Sequence, residues 1–341
     1  MKITALITGI TGQDGSYLAE FLLKKGYHVV GMVRQSSAVT RPRIDHLHGA
    51  MPVASDLTLE YGDMCDGSSL RRILNKYAPL EVYNLAAQTH VRVSFEQPEY
   101  TNDVTGMGVL RLLEAVKDHV VQTGREVRVF QAASSEVFGT SPVPHDENTP
   151  FHPRSPYGVA KLTGYWHAVN YREAHGLFCA NGIMFNHESE RRSELFVSRK
   201  ITRAAGRIKV GLQSELHLGN LDTKRDWGYA PEFVEAMWLM LQSEEPSDFV
   251  IATGESHSVR EFLDVAFALV GLDWRRYVKI DPRYFRPAEI PNSLGNAAKA
   301  QHVLGWKSRV TFSRLIEIMV AHDLEMAERD AHALRFSKIP C

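Results

Sequence analysis

The sequence predicts an α/β protein in which a Rossmann-type, doubly wound parallel sheet is joined to a smaller C-terminal α/β substrate lobe. Two observations predict this class. Short apolar runs alternate with helical patterns through the first half of the chain, and a glycine-rich turn directly follows the first run. In such a sheet the turn brings backbone N–H groups to the positive end of a helix, where they can bind a pyrophosphate.

The predicted strands are short apolar runs bounded by polar or turn residues. They are Ile3–Thr8, His28–Val33, Leu57–Tyr61, Glu81–Leu85, Val127–Ala133 and Leu177–Phe185. Apolar residues at helical spacing predict the helices Ser16–Lys25, Ser68–Lys76, Thr105–Val121 and Ser155–Ala174. Gly26 is the expected left-handed residue that follows the first helix.

The pattern predicts two domains, of which the second is discontinuous in sequence. Residues 1–185 form the nucleotide-binding domain, 186–330 supply most of the substrate lobe, and 331–341 form a C-terminal tail. After about Asn186 the regular alternation gives way to basic and aromatic loops. A late apolar run at 248–253 is predicted to return to the main sheet.

Composition indicates a globular enzyme and argues against several other classes. The formal net charge of −1 creates no field that would attract nucleic acid or an anionic membrane. Cysteine occurs three times without metal-ligand spacing, so we expect no metal site and a reducing, cytoplasmic setting. No apolar run is long enough to cross a membrane.

The turn after the first strand has the pattern G-x-x-G-x-x-G. A glycine turn without function is the alternative, but its place between a strand and an amphipathic helix favours a nucleotide site. The predicted cofactor-binding residues here are Gly9, Thr11, Gly12, Gln13, Asp14 and Gly15. Asp63, after the third strand, could accept a hydrogen bond from an adenine amino group; an aspartate that caps its own loop is an equally good interpretation.

The end of the second strand predicts the type of nicotinamide cofactor. An acidic residue there would bind a ribose 2′-hydroxyl, whereas an arginine suits a 2′-phosphate. Arg34 stands at this position, and the next acidic residue is Asp45. NADP is therefore favoured over NAD, with a solvated basic loop as the alternative reading of Arg34.

A hydroxyl, a carboxylate, a phenol and an ammonium are predicted to meet at the carboxyl edge of the sheet. Ser134 and Glu136 follow a strand, while Tyr157 and Lys161 lie four residues apart on a helix and so on one face. An ammonium near a phenol favours the phenolate, which can take a proton from a substrate alcohol. A nearby carboxylate could then act on the carbon beside the new ketone.

The sequence resembles the GDP-mannose 4,6-dehydratases, which belong to the extended short-chain dehydrogenases/reductases. The resemblance covers nearly the whole chain, and its most specific runs are GITGQDG, RSPYG and NHES. It implies that Glu136 is the catalytic acid/base, that Tyr157 and Lys161 are the catalytic tyrosine and lysine, and that Ser134 stands for the usual threonine. It also implies a homotetramer or homodimer, with the basic loop 34–43 at a subunit contact.

The same resemblance implies further contacts with cofactor and substrate. The cofactor residues are Met64, Leu85, Ala86, Ala87, His187 and Arg192, together with Tyr157 and Lys161. The residues implied for a GDP-sugar are Gln88, Ser135, Asn186, Lys200, Arg225, Arg286 and Glu289. For Ser135 a cap on the strand end is the alternative, and for Arg225 it is a salt bridge with Asp222 or Asp226.

Three positions depart from the resembled pattern. Ser134 lacks the methyl group of threonine, Ala133 replaces a serine, and Glu190 replaces a proline. The change to Glu190 adds a charge and is expected to loosen its loop. A GDP-sugar other than GDP-mannose therefore stays open as the substrate.

Other functions also fit part of the pattern. A nucleotide-sugar decarboxylase resembles the same arrangement, and a 4-epimerase or 4-ketosugar reductase would keep Tyr157 and Lys161 without needing Glu136. From another class, the chain could be a regulatory protein that senses NADP(H). Such a sensor needs none of the four predicted catalytic side chains.

Overall fold

The computed structural model of this protein describes residues 2–37, 41–49, 56–285 and 287–336. Its strands are β1 (Thr4–Thr8), β2 (His28–Val33), β3 (Leu57–Tyr61), β4 (Glu81–Asn84), β5 (Arg128–Ala132), β6 (Phe178–Met184), β7 (Asn186–Glu188), β8 (Leu216–Leu218), β9 (Lys224–Arg225), β10 (Trp227–Tyr229), β11 (Asp248–Ile251), β12 (His257–Ser258), β13 (Val278–Ile280) and β14 (Asn292–Ser293). Its helices are α1 (Gln13–Lys24), α2 (His46–Gly49), α3 (Gly67–Tyr77), α4 (Val91–Glu96), α5 (Pro98–Asn102), α6 (Gly108–Thr123), α7 (Pro156–His175), α8 (Val197–Lys209), α9 (Ala230–Gln242), α10 (Val259–Leu269), α11 (Ala298–Leu304) and α12 (Phe312–Phe336).

The main sheet is parallel throughout, as the alternation of strands and helices predicts. In the described part of the chain it has seven strands in the order β11-β6-β5-β4-β1-β2-β3. The strand order reverses between β1 and β4, which is where α/β sheets of this kind bind their ligands. The fold-class prediction is thereby confirmed. The late strand also returns as predicted, because β11 pairs with β6.

Six of the seven strands bury both of their faces, which explains why they are continuous apolar runs, whereas the edge strand β3 is only partly buried. Ala5 and Ile7 of β1 belong to the core that packs under α1 and α9. Leu6, between them, belongs to the core that packs under α3, α6 and α7. The sheet is therefore covered by helices on both sides.

A separate apolar cluster lies under the helices of the second half of the chain. It joins Ile201 of α8, Phe262 of α10 and Leu315 of α12. The small strands around it form two-stranded and three-stranded sheets, one of which pairs β7 with β10. The loops predicted after Asn186 therefore contain short strands and four regular helices longer than ten residues within the described chain.

One predicted helix begins later and less regularly than expected. The sequence predicts a helix over Thr105–Val121, but α6 starts at Gly108 and is preceded by a π-helical turn, Asp103–Met107. An ideal Cβ on Gly106 in this turn would lie 3.3 Å from the side chain of Thr163 in α7. The wider turn thus fits the close approach of the two helices. At the end of α1, Gly26 has the predicted left-handed conformation, with φ +83°.

None of the helices in the described residues is both long and apolar enough to cross a bilayer. The same residues contain no group of three or more side chains that could hold a metal ion.

Candidate active site

The glycine turn lies between β1 and α1 and is closely packed. Gly9 has φ +71°, and an ideal Cβ there would approach the backbone of Ala86 to 2.9 Å. A Cβ on Gly15 would lie 2.4 Å from the carbonyl oxygen of Gly9. Gly12 caps α1 without any side-chain hydrogen bond, so the first N–H groups of the helix have no side-chain cap. This geometry suits the binding of a phosphate at the helix N-terminus.

A row of buried polar side chains connects the ends of three neighbouring strands. The hydroxyl of Thr8 donates to Asn84 Oδ1 at 2.7 Å, and Asn84 Nδ2 donates to Gln131 Oε1 at 2.7 Å. The N–H groups of Leu85 and Ala86 both donate to the same Thr8 hydroxyl at 3.1 Å. This row holds the backbone after β4 against the glycine turn. Sequence reasoning missed these residues, although polar side chains inside apolar strands were a visible signal.

The chain directly after β5 is packed against the start of α7. Ser135–Val137 form a 3₁₀ turn that Ser134 caps by accepting a hydrogen bond from the N–H of Glu136 at 3.3 Å. Ser155 caps α7 by accepting from the N–H of Gly158 at 3.0 Å. A Cβ on Gly158 would lie 2.9 Å from the carbonyl oxygen of Glu136. The glycine therefore allows the close contact that brings the two predicted catalytic segments together.

The phenol of Tyr157 reaches the hydroxyl of Ser134 through this contact. Tyr157 is 8% exposed. Burial raises the pKa of Tyr157 to about 12; the hydrogen bond with Ser134 acts in the opposite direction, and the charge of Glu136 adds to the rise. The structure thus places Ser134, Glu136 and Tyr157 in one cluster. At neutral pH the phenol is protonated in this state.

Lys161 lies beside the phenol but does not set its pKa as the sequence predicts. Its Nζ lies 5.9 Å from the ring centroid of Tyr157 and donates to the carbonyl oxygen of Ala132 at 2.7 Å. Burial lowers the pKa of Lys161 to about 8, against the attraction of Asp14. Burial of the phenol therefore dominates the pKa of Tyr157, which the local spacing of the two residues could not reveal.

The segment after β6 folds across the N-terminal turn of α1. His187 Nε2 lies 2.8 Å from Asp14 Oδ2, and its Nδ1 lies 2.7 Å from the carbonyl oxygen of Phe185. Burial opposes ionisation of Asp14, but His187 outweighs it and lowers the pKa of Asp14 to about 2. Burial likewise opposes the charge on His187, and Asp14 outweighs it and raises the pKa of His187. The two residues form a partly buried ion pair beside the glycine turn.

Two more predicted residues lie in the same area. Gln13 Nε2 donates to Asp14 Oδ1 at 2.9 Å and to the carbonyl oxygen of His187 at 3.1 Å. Arg192 Nε lies 3.1 Å from Glu188 Oε2, a carboxylate that is 2% exposed. Residues that are distant in sequence therefore surround the start of α1. Arg43, which belongs to the basic loop 34–43, also contacts this turn. Its Nη1 donates to the carbonyl oxygen of Thr11 at 3.4 Å.

The residues predicted after β3 and β4 also border this end of the sheet. Asp63 Oδ1 accepts from the N–H of Cys65 at 2.9 Å, so this carboxylate does cap its own loop. Met64 is buried, while Ala87 and Gln88 are half-buried. Gln88 uses its side-chain oxygen for the hydroxyl of Thr101 at 3.2 Å. The carboxylate of Asp63 and the side-chain oxygen of Gln88 are thus engaged by neighbouring groups of the protein.

Arg34 extends from the end of β2 and is exposed. Its Nη1 donates to the hydroxyl of Tyr100 at 2.9 Å. The arginine therefore lies at the predicted edge of the sheet, held by a phenol and not by an acid. Residues 38–40 of the basic loop lie outside the described residues.

The residues predicted to bind a GDP-sugar lie in the second half of the chain. Arg225 is 8% exposed; its Nη1 donates to the carbonyl oxygen of Ile290 at 2.9 Å, and its Nη2 lies 3.5 Å from Glu289 Oε1. Two predicted substrate residues thus meet. The two alternative partners are engaged elsewhere: Asp222 pairs with Arg260, and Asp226 accepts hydrogen bonds from Thr253 and from the backbone around it.

Lys200 lies apart from that pair, in a groove of about 330 Å³. Its Nζ donates to the carbonyl oxygen of His217 at 2.6 Å and lies 3.6 Å from the ring centroid of Tyr284. Asn186 begins β7 and pairs in register with Trp227. Ser135 is 7% exposed inside the 3₁₀ turn. Arg286 lies outside the described residues.

Comparisons with known proteins show similarity over nearly the whole chain. A family model described as GDP-mannose 4,6 dehydratase matches residues 6–319. The chain is 59% identical over 330 residues to GDP-mannose 4,6 dehydratase 2 of Arabidopsis thaliana, covering 96% of this chain and 88% of that protein. It is 48% identical over 363 residues to GDP-mannose 4,6-dehydratase of Vibrio cholerae, covering 98% and 96%. Among solved structures, it is similar to UDP-glucose 4-epimerase of Thermus thermophilus in complex with NAD, with a TM-score of 0.80, 26% identity and coverage of 94% and 99%.

Proposed function

The chain belongs to the GDP-mannose 4,6-dehydratase family, and we propose that it converts GDP-mannose to GDP-4-keto-6-deoxymannose with NADP as a resident cofactor. One observation carries the proposal beyond family membership. Ser134, Glu136 and Tyr157 form one cluster at the carboxyl edge of the sheet, on the side of the glycine turn. A simple alcohol dehydrogenase would need the hydroxyl and the phenol but not the carboxylate.

The glycine turn supports a dinucleotide cofactor. The uncapped N-terminus of α1 and the left-handed Gly9 allow a pyrophosphate to approach the backbone closely. Arg34, exposed at the end of β2, supports NADP in preference to NAD, because a guanidinium can bind a 2′-phosphate with two hydrogen bonds. When bound, NADP supplies a temporary hydride acceptor between C4 and C6 of the sugar.

The protein groups would divide the proton transfers between them. Ser134 would position the 4-hydroxyl of the sugar, and Tyr157 would take its proton in the phenolate form, which burial of the phenol disfavours in this structure. Formation of the C4 ketone makes the C5 proton acidic. Glu136 would then remove that proton and deliver it to the 6-hydroxyl, which leaves as water. Return of the hydride to C6 and of a solvent-exchangeable proton to C5 would complete the 4-keto-6-deoxy sugar. The ammonium of Lys161 lies 5.9 Å from the ring centroid of Tyr157 and is held by the carbonyl oxygen of Ala132.

The substrate would be held by groups of the second half of the chain. Arg225 suits a diphosphate because its guanidinium is already oriented by backbone carbonyl groups and by Glu289. We propose that Asn186 and Lys200 contribute from the neighbouring elements, together with Arg286. A homotetramer is also proposed; sedimentation that shows a stable and fully active monomer would contradict it.

An isotope experiment distinguishes this reaction from its alternatives. In D₂O the purified protein should convert GDP-mannose to a 6-deoxy product that carries deuterium at C5 and none from solvent at C6, as measured by NMR and mass spectrometry. A 4-epimerase or a 4-ketosugar reductase never breaks the C5–H bond, and a decarboxylase would yield a pentose. A hexose product without deuterium at C5 would overturn the proposal. Bound NADP(H) with no turnover would indicate a cofactor sensor.

A further inference from the structure

Residues 186–192 fold across α1 and make side-chain contacts along one face of it. Ser189 Oγ donates to Gln13 Oε1 at 2.8 Å, and Arg191 Nη1 donates to Ser16 Oγ at 3.2 Å. These contacts lie beside the ion pair between Asp14 and His187. Gln13 and Ser16 are three positions apart, so these two side chains lie on the same face of the helix. The segment is therefore fastened to the helix whose N-terminus faces the proposed cofactor.

Tyr17 and Glu190 form another contact of this set, and Arg191 Nη2 lies 2.6 Å from Glu20 Oε1 farther along α1. The hydroxyl of Tyr17, a residue that is 8% exposed, donates to Glu190 Oε1 at 2.7 Å. Glu190 Oε2 is buried without a hydrogen-bond partner in the described structure. Burial, together with the charge of Glu190, raises the pKa of Tyr17 far above its usual range, so the phenol remains a donor. Losing that donor would leave the carboxylate buried with neither oxygen satisfied.

The backbone of Glu190 is fastened as well as its side chain. Arg199 of α8 donates to the carbonyl oxygens of Glu190 and Arg192, and its guanidinium is paired with Asp323 of α12. The sequence predicts a looser loop at this position, but the side chain and the carbonyl of Glu190 are both held. The residue thus lies between α1 on one side and the arginine of α8 on the other.

We propose that Tyr17 and Glu190 are a positioning pair that holds residues 187–192 against α1 and thereby slows the release of the cofactor. This inference rests on the proposed function, because it takes His187 and Arg192 as cofactor contacts. Neither Tyr17 nor Glu190 needs to touch the cofactor or the sugar. Their effect should therefore appear in how long the cofactor stays bound, and not in the affinity for GDP-mannose.

The test measures NADPH release from the intact protein by the loss of its fluorescence after addition of excess NADP⁺. Tyr17→Phe and Glu190→Leu should each speed release on the order of tenfold, and combining them should add little, since both remove the same contact. Glu190→Gln keeps an acceptor oxygen and should stay near the wild type. The KM for GDP-mannose should not change, and added NADP⁺ should restore the turnover of the variants.

Tyr27→Phe provides the matched control. Tyr27 is 6% exposed and donates to the buried Glu81 at 3.1 Å, so it makes the same kind of contact away from the segment. It should lower the thermal stability without changing NADPH release. Equal release from Tyr17→Phe and the wild type, or equal acceleration by Tyr27→Phe, would overturn the inference while leaving the proposed function intact. A wild-type protein that binds no NADP(H) and forms no 6-deoxy product would overturn both.

Discussion

Replacing Asp14 with asparagine should destabilise the protein in a way that depends on pH. The carboxylate of Asp14 is paired with His187 at 2.8 Å and has its pKa lowered from 3.8 to about 2. Each pKa unit corresponds to about 1.4 kcal/mol, so the pair contributes about 2 kcal/mol to the free energy of unfolding. The substitution keeps the size of the side chain and allows one hydrogen bond, while it removes the charge.

The pH range of this contribution follows from the directions of the two shifts. The pKa of Asp14 is lower in the folded chain, so its contribution is complete above 3.8 and is lost as the pH falls towards 2. The pKa of His187 is raised above 6.5, so the contribution of its proton is complete below 6.5 and is lost as the pH rises through the folded value. Asp14→Asn should therefore lower the free energy of unfolding most near pH 5 to 6, and less near pH 9.

Denaturant unfolding at pH 6 and pH 9 measures the difference. Asp118→Asn serves as a control, because it breaks an exposed ion pair with Arg71 and should cost below about 1 kcal/mol. The reasoning would be refuted if Asp14→Asn cost no more than this control at pH 6. It would also be refuted if the cost of Asp14→Asn were the same at both pH values.

Three further predictions concern the proposed chemistry, the cofactor and the packing of the glycine turn. Tyr157→Phe should abolish both NADPH formation and product formation. Glu136→Gln should instead let NADPH or a 4-ketohexose build up, as measured by absorbance and mass spectrometry. If the two variants lost NADPH formation and product formation equally, Glu136 would be assigned to oxidation or folding. Arg34→Asp should weaken NADP relative to NAD in a binding titration, and an unchanged preference would remove Arg34 from the site. Gly15→Ala should lower the free energy of unfolding by about 2 kcal/mol or prevent folding, because its Cβ would lie 2.4 Å from the carbonyl oxygen of Gly9. Gly12→Ala should lower it less, since its Cβ would lie 3.2 Å from the same oxygen.

The sheet could be predicted well because its signal is local. β2 and β3 have the predicted bounds, since each is a short run rich in β-forming residues that ends at polar or turn residues. The glycine turn was also readable, because its three glycines stand where a strand must turn tightly into a helix. The π-helical turn before α6 could not be predicted from the sequence, since it depends on the packing of Gly106 against α7.

The partners of the polar side chains could not be predicted in the same way. Asp14 and His187 meet across 173 residues of sequence, and so do Tyr17 and Glu190. No local pattern marks such a pairing, because it depends on where β6 delivers the following segment. The pKa of Tyr157 shows the same limit: its neighbour Lys161 is visible in the sequence, but the burial that dominates the pKa is not.

The late return of β11 has a consequence for synthesis of the chain on the ribosome. β6 ends at Met184, yet its outer neighbour begins only at Asp248, after α8 and α9. Until those residues emerge, the backbone edge of β6 has no partner in the sheet, and an open strand edge invites pairing with other chains. Asp248 then binds Arg172 and Asn181 with its carboxylate as the strand docks. Truncation before this residue should therefore yield nascent chains that aggregate or depend on chaperones.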